Sequence, residues 1–161
     1  MSYLQQANPY QAPTGEPPLW APYYGATFGA AIRRFFTKYA VFNGRASRSE
    51  YWWSVLALTI TDFLVLIIAS LLSALGSTVS EYGTSTPGPG GIVGLILMFA
   101  YYAAIIVPSI ALTVRRLHDG NLSGFMILLG LIPGFGGIII LVFSLLSPNP
   151  AGQRFDQPGI G

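Results

Sequence analysis

Two short polar segments hold nearly half of the side chains that could do acid–base or ionic chemistry. They read FNGRASRSEYWW over residues 42–53 and RRLHDGNLSG over residues 115–124. Seven of the chain's fifteen charged or titratable residues lie there: Arg45, Arg48, Glu50, Arg115, Arg116, His118 and Asp119. Each carboxylate can pair with an arginine, because a guanidinium donates two parallel hydrogen bonds to one carboxylate. The arginines could instead bind anionic lipid headgroups, so the pattern predicts either an ion-pair lock between helices or a lipid site.

The residue types in these segments argue against enzymatic chemistry. His118 and Asp119 could supply a base and a carboxylate, but neighbours in sequence do not face each other on a helix. The chain has one histidine and no cysteine, which excludes a multi-histidine metal site, a thiolate site and a cysteine nucleophile. No glycine-rich phosphate loop follows a strand pattern. We therefore predict a protein that is not an enzyme and takes no cofactor and no metal.

A second polar group, Asp62 with Tyr101 and Tyr102, lies inside long apolar stretches. Asp62 follows Trp52 by about 15 Å of helix, which places it near the middle of a bilayer. An ionised carboxylate at that depth costs about 2.5–3.5 kcal/mol, so it should face protein or water, or be protonated. We favour a hydrogen bond to a tyrosine hydroxyl that holds helices together. The alternative is a site for a proton or small solute, which would need an oligomer to form a conduit.

The composition identifies the elements that must position these residues. Hydrophobic residues make up 52% of the chain and charged residues 9%, whereas an ordinary globular protein has about 25% charged residues. Three apolar stretches, at about 52–75, 92–114 and 125–146, each exceed the roughly 20 residues that a helix needs to cross a bilayer. The sequence therefore predicts an all-α membrane protein with three transmembrane helices. The third stretch contains Pro133-Gly134-Phe135-Gly136-Gly137, and we favour a kinked full span there over a re-entrant hairpin.

The segments outside these stretches predict the topology. Residues 1–24 contain five prolines and cannot bury a core, so we predict a disordered tail ahead of a membrane domain over 25–161. Over about 26–42, an apolar helical face lies opposite a polar one, which predicts an amphipathic helix. We favour a helix at the membrane surface, with its cations among the headgroups, over one that is packed on protein. The apolar face has Phe28, Ile32, Phe35, Tyr39 and Phe42, and the polar face has Arg33, Arg34, Thr37 and Lys38. Lysine and arginine are concentrated before the first span and absent from residues 76–91, which predicts a cytoplasmic N-terminus and, after three full spans, a C-terminus outside.

Three motifs together resemble the domain of unknown function 805 family of bacterial inner-membrane proteins. The resemblance covers about residues 35–158, and its pattern falls on Gly44, Arg45, Arg48, Glu50, Tyr51 and Trp52, then Arg115, Arg116, Leu117, His118, Asp119, Ser123 and Gly124, then Pro133 and Gly136. Family members usually have Trp where this chain has Phe125, and the tail sequence Gln153-Arg154-Phe155-Asp156 also departs from the family's. Asp62 is outside the pattern. The resemblance implies a small multi-pass protein of the bacterial inner membrane and brings no catalytic role.

These features favour a binding or structural function. A net charge of +2 is too small for a surface that tracks nucleic-acid phosphates. We expect a non-enzymatic membrane scaffold whose partners are the lipid bilayer, anionic headgroups or another membrane protein, with a homo-oligomer as a further possibility. The alternative is a transporter subunit for a proton or small solute that uses Asp62.

Overall fold

The computed structural model describes residues 16–86 and 88–156 of the chain. Helices form nearly all of the regular structure in these residues, together with one short β-hairpin. In chain order the elements are α1 (Phe28–Thr37), α2 (Arg48–Ala74), β1 (Thr78–Val79), β2 (Ser85–Thr86), α3 (Pro89–Asp119), a first 3₁₀ helix (Gly124–Leu131), α4 (Gly136–Leu145) and a second 3₁₀ helix (Pro150–Phe155).

The framework is the antiparallel pair of α2 and α3, which pack along each other. The β1–β2 hairpin joins them at one end, with Thr78 opposite Thr86. At the other end α2 begins with a capping box, in which the Ser47 hydroxyl accepts from the Glu50 N–H and the Glu50 carboxylate accepts from the Ser47 N–H. This arrangement satisfies two N–H groups that the start of a helix would otherwise leave unpaired.

Helices α2 and α3 contain 27 and 31 residues, and both are long and apolar enough to cross a membrane by length and composition. Many of their large apolar side chains face outward; Phe63 is 65% exposed and Phe99 is 78% exposed. Surface of this kind is unfavourable in water and favourable in hydrocarbon. The first two predicted stretches are therefore found as continuous helices, and their outer faces suit lipid.

The third apolar stretch differs from the prediction. The first 3₁₀ helix and α4 fold back on each other, so residues 125–146 form a hairpin of two short helices. The turn uses Gly134 at φ 80°, a left-handed conformation that glycine adopts without steric cost. A Cβ on Gly136 would lie 2.2 Å from the Gly130 carbonyl oxygen, so the two halves meet at their backbones. In place of the predicted single kinked helix, the structure has a hairpin of two short helices, which is the backbone shape of the re-entrant alternative.

Helix α1 is shorter than predicted, and its buried side takes residues from both predicted faces. Phe35, on the predicted apolar face, is 2% exposed, whereas Phe28 on the same face is 46% exposed. Arg34 and Lys38, predicted among lipid headgroups, are only 1% and 3% exposed, so the predicted placement of these two cations is wrong. A buried carboxylate, Glu50, accepts a hydrogen bond from Arg34, and a charge-assisted bond of this kind stabilises a buried arginine.

Part of the segment predicted to be disordered is ordered. The Arg34 guanidinium donates to the carbonyls of Pro17 at 3.0 Å and Pro18 at 3.3 Å, and the Tyr23 N–H donates to Glu50 at 2.9 Å. The prolines supply carbonyl groups without competing N–H donors, which suits a buried guanidinium. The prediction of disorder is wrong for residues 16–24, and residues 1–15 lie outside the described residues.

One hydrogen bond fixes the end of α1 against the middle of α3. Helix α3 continues through Pro108, which has no N–H for the carbonyl four residues earlier. That carbonyl belongs to Ala104, and the Tyr39 hydroxyl donates to it at 2.6 Å. Tyr39 thus satisfies an acceptor that Pro108 leaves free.

Candidate functional site

The structure brings the polar residues singled out from the sequence to one end of the α2–α3 pair. We call them the polar cluster: Arg45, Arg48, Glu50, Arg115, Arg116, His118 and Asp119. The loop before α2 lies against the last turn of α3, where the Ala46 N–H donates to the Arg115 carbonyl at 2.9 Å. All of the cluster except Arg48 is less than a tenth exposed. The cluster is therefore an interior feature and not a set of free surface charges.

Glu50 joins three segments of the chain. Its carboxylate closes the capping box of α2 and accepts from the Arg34 Nε at 2.6 Å and from the Tyr23 N–H at 2.9 Å. Both members of the Arg34–Glu50 pair are buried, at 1% and 2% side-chain exposure. The predicted pairing of Glu50 with an arginine is confirmed, but the arginine comes from α1, so this pair ties α1 to α2.

Asp119 is the centre of the other half of the polar cluster. It is 0% exposed and accepts from Arg116 Nη1 at 2.7 Å and from the Tyr24 hydroxyl at 2.7 Å. Arg45 lies 3.6 Å away and pairs with Asp156 at 2.8 Å. Burial lowers the pKa of Arg45, but the hydrogen bonds that Arg45 donates to Asp156 and the charges around it outweigh burial and raise the pKa overall.

Two arginines hold the C-terminal end of α4. Arg48 donates to the carbonyls of Leu145 at 2.6 Å and Leu146 at 3.0 Å. Arg116 donates to the Ser144 carbonyl at 2.9 Å and also to that of Leu146. The last carbonyls of a helix have no partners within it and carry partial negative charge. These contacts place the end of the hairpin beside the polar cluster, the same cluster near which the hairpin begins.

His118 has a packing role in this arrangement. Its Nδ1 donates to the Gly44 carbonyl at 3.0 Å, and its ring stacks on Phe155 with centroids 4.0 Å apart and planes 4° apart. Asp119 instead contacts arginines and Tyr24. The two side chains are thus directed to different partners, and they form no acid–base pair.

Two cations, Lys38 beside the polar cluster and Arg115 within it, have hydrogen-bond donors that are not used. Within residues 16–86 and 88–156, neither the Lys38 Nζ nor the Arg115 Nη2 has a hydrogen-bond partner, although both atoms are buried. Burial lowers the pKa of Lys38 from 10.5 to about 7; Glu50 and Asp156 oppose this shift, whereas Arg34 and Arg115 add to it. Burying a cation without a partner costs free energy, so hydrogen bonding in the site is least complete at these two donors.

The predicted midplane group is partly assembled. The Tyr101 hydroxyl and the Thr61 hydroxyl form a hydrogen bond at 2.8 Å, and Tyr101 also interacts with Asp62. The Oδ1 atom of Asp62 is buried and has no partner among the described residues. Tyr102 packs edge-on against Tyr101 and is 41% exposed. The group joins α2 to α3 through Tyr101, and Tyr102 stays outside the hydrogen bonds.

Sequence reasoning missed four residues of the site: Tyr24, Arg34, Lys38 and Asp156. Arg34 and Lys38 are four residues apart and so share a helix face, but their charges predict contact with lipid headgroups and not with Glu50 or Arg115. Tyr24 and Asp156 lie near the two ends of the chain, and no spacing rule connects them to Asp119 or Arg45. Within the described part of the chain, no three His, Cys, Asp or Glu side chains form a group that could hold a metal ion.

Comparison with known proteins agrees with the sequence motifs. The model of the family described as Protein of unknown function (DUF805) matches residues 39–157. Inner membrane protein YhaH of Escherichia coli (strain K12) is 34% identical over 117 residues, which cover 73% of this chain and 85% of YhaH. Inner membrane protein YhaI of the same organism is 31% identical over 124 residues, covering 76% and 90%.

No solved structure matches the chain significantly. Both relatives are inner membrane proteins by name, in agreement with the two long helices whose apolar side chains face outward. The family match covers well over half of the chain and includes the whole polar cluster. The chain therefore belongs to the DUF805 family.

Proposed function

We propose that this chain is a non-enzymatic scaffold of the bacterial inner membrane, with the polar cluster on the cytoplasmic side. Helices α2 and α3 cross the bilayer, and the hairpin formed by the first 3₁₀ helix and α4 enters from the cluster side and returns to it. The names of the relatives and the concentration of lysine and arginine ahead of α2 support this placement. Its partners are lipids or another membrane protein.

The observation that carries the proposal is the internal pairing of the polar cluster. Asp119, which is fully buried, interacts with Tyr24, Arg45 and Arg116, three residues from separate segments. A catalytic or transport site keeps polar groups available to a substrate, whereas most of these groups are paired with one another or with backbone carbonyls. The cluster therefore acts as a lock that gives the cytoplasmic face a fixed shape for a partner to recognise.

The first test removes the centre of the lock. We expect Asp119→Ala to cost about 3–5 kcal/mol, because Arg116 would be left buried without its partner. The measurements are membrane levels of the full chain, its unfolding midpoint in detergent, and rescue of a deletion strain. Glu81→Gln, which removes a carboxylate from the exposed β1–β2 hairpin, is the matched control. If Asp119→Ala keeps wild-type stability and rescues the strain, both the ion-pair lock and the proposed scaffold function are contradicted.

One observation favours a second candidate function. The unpartnered Oδ1 of Asp62 fits a transporter subunit that binds a proton or small solute near the bilayer midplane. Because the chain has no cysteine, Asp62→Cys would carry its sole thiol. Labelling of that thiol by a membrane-impermeant maleimide, together with loss of rescue by Asp62→Asn, supports transport. Protection from labelling and normal rescue support the scaffold.

A further inference from the structure

A cavity of about 320 Å³ lies beside the C-terminal end of α1. Leu19, Trp20, Lys38, Val41 and Asn43 are among the residues that line it. Among the described residues that line it, Lys38 is the sole charged one. The side chain is 3% exposed, so this charged wall of the cavity is almost wholly shielded from water.

The Lys38 donor is not used by the protein. Its Nζ has no hydrogen-bond partner in the described ranges, and the same is true of the Nη2 of Arg115, which is 1% exposed. Buried polar atoms in proteins are almost always paired. An orphaned lysine donor in the wall of a cavity indicates a missing acceptor.

The charges around Lys38 also indicate a missing acceptor. Arg34 and Arg115 both repel its ammonium, and Glu50 is the carboxylate that opposes them most. Glu50 is already bonded to Arg34, and Asp156, which also acts on Lys38, is bonded to Arg45. The carboxylates near these cations are thus committed to other arginines: Glu50 and Glu16 to Arg34, and Asp156 to Arg45.

We propose that Lys38 and the cavity that it lines form a binding site for a phosphate-bearing anion, the phosphodiester of an anionic phospholipid in particular. A phosphate oxygen accepts a charge-assisted hydrogen bond from an ammonium group. It would satisfy the orphaned Lys38 donor and offset the positive charges that act on it. The inference rests on the proposed scaffold for the placement of this face at the membrane surface, and it adds a ligand to that function.

The rim of the cavity favours a lipid over a soluble phosphate. Leu19, Trp20 and Val41 are 46%, 52% and 42% exposed, so apolar surface adjoins the charged wall. The neighbouring residue Tyr39 bonds to Ala104 in the middle of α3, so the end of α1 lies beside the apolar part of that helix. An amphiphile fits such a place because its headgroup meets Lys38 while its acyl chains follow the apolar rim.

The test uses the purified full chain in a non-ionic detergent. It is titrated with phosphatidylglycerol and, separately, with inorganic phosphate, and binding is followed by native mass spectrometry and by the rise in unfolding midpoint. We expect Lys38→Met to weaken phosphatidylglycerol binding about tenfold to hundredfold, the effect of losing one charge-assisted hydrogen bond. Arg33→Met, which removes an exposed cation from the same helix, should change binding by less than about twofold.

The pH dependence gives a readout that a purely structural lysine would not show. The ammonium form binds the anion, so affinity should fall about fivefold or more from about pH 6 to about pH 8.5, while the lipid phosphodiester keeps its charge. The charged groups that act on Lys38 are Glu50, Arg34, Arg115 and Asp156. Lys38→Arg should bind at both pH values alike, which also covers the case in which Lys38→Met fails to fold.

Each outcome decides the inference. Binding of phosphatidylglycerol with little binding of inorganic phosphate supports a lipid, and equal binding of both supports a soluble phosphate at the same site. Binding that is unchanged in Lys38→Met, or absent from the wild-type chain, overturns the inference. Such a failure leaves the Asp119 test of the scaffold unaffected, because the lock needs no ligand.

Discussion

Tyr39 shows how one side chain can decide the position of a helix. Its hydroxyl bonds to the Ala104 carbonyl, whose usual N–H partner within α3 is missing because residue 108 is proline. The aromatic spacing of α1 predicts Tyr39 on the apolar face of an amphipathic helix, and a proline within a helix leaves one carbonyl without its usual partner. Neither pattern alone connects the two residues, because their contact joins positions far apart in sequence.

This contact makes a prediction at the scale of single residues. We expect Tyr39→Phe to lower the free energy of unfolding by about 1–3 kcal/mol, since it leaves the Ala104 carbonyl without a donor. In a Pro108→Ala background the N–H of residue 108 can take that role, so the same change should cost much less. A double-mutant cycle in detergent measures the difference, and Tyr82→Phe, at a residue that is 93% exposed, is the control. Additive effects in the cycle would contradict this account.

The hairpin of the first 3₁₀ helix and α4 shows what an apolar run can predict about an element. The sequence located the stretch and its break at Pro133-Gly134-Phe135-Gly136-Gly137 correctly. The sequence could not show whether the helix continues past this break or the chain folds back, because the outcome depends on contacts with residues that are far away in sequence. Arg48 and Arg116 donate to the last carbonyls of α4, and those bonds exist only if the chain returns.

Gly136 provides the test of this element. A Cβ at this position would lie 2.2 Å from the Gly130 carbonyl oxygen, whereas a Cβ on Gly137 would meet nothing within 4 Å. We expect Gly136→Ala to lower the free energy of unfolding by about 1–3 kcal/mol or more, the usual effect of overpacking. Gly137→Ala, one residue away in the same helix, should change stability little. Equal unfolding midpoints for the two variants would mean that the halves do not meet as described.

At the scale of the whole molecule, the polar cluster gathers the start of α2 and the ends of α3 and α4. The sequence predicted that the segments before α2 and after α3 would share a face, from charge placement alone. Three full spans, as the sequence predicts, would place the C-terminal residues on the opposite side of the membrane from the N-terminus. The structure puts Gly152 against the carbonyl of His118 and Asp156 against Arg45, so the segment after α4 belongs to the polar-cluster side.

Thiol labelling tests this topology. In single-cysteine variants, Ala151→Cys follows α4 and Ser80→Cys lies in the β1–β2 hairpin, both at exposed positions. If α2 and α3 cross the bilayer, the two thiols should react with a membrane-impermeant maleimide from opposite sides. We expect Ala151→Cys to react in inverted vesicles and Ser80→Cys in intact cells. Reaction of both thiols from the same side would rule out this arrangement.

The pairing of Arg45 with Asp156 also sets an order for biosynthesis. The ribosome releases Arg45 long before Asp156, and the α4 carbonyls that Arg48 and Arg116 bind also emerge late. A nascent chain that has inserted α2 and α3 therefore holds Arg45 without Asp156, and Arg48 and Arg116 without the α4 carbonyls, although Arg116 already has Asp119 as a partner. The lock closes only when translation has passed the second 3₁₀ helix.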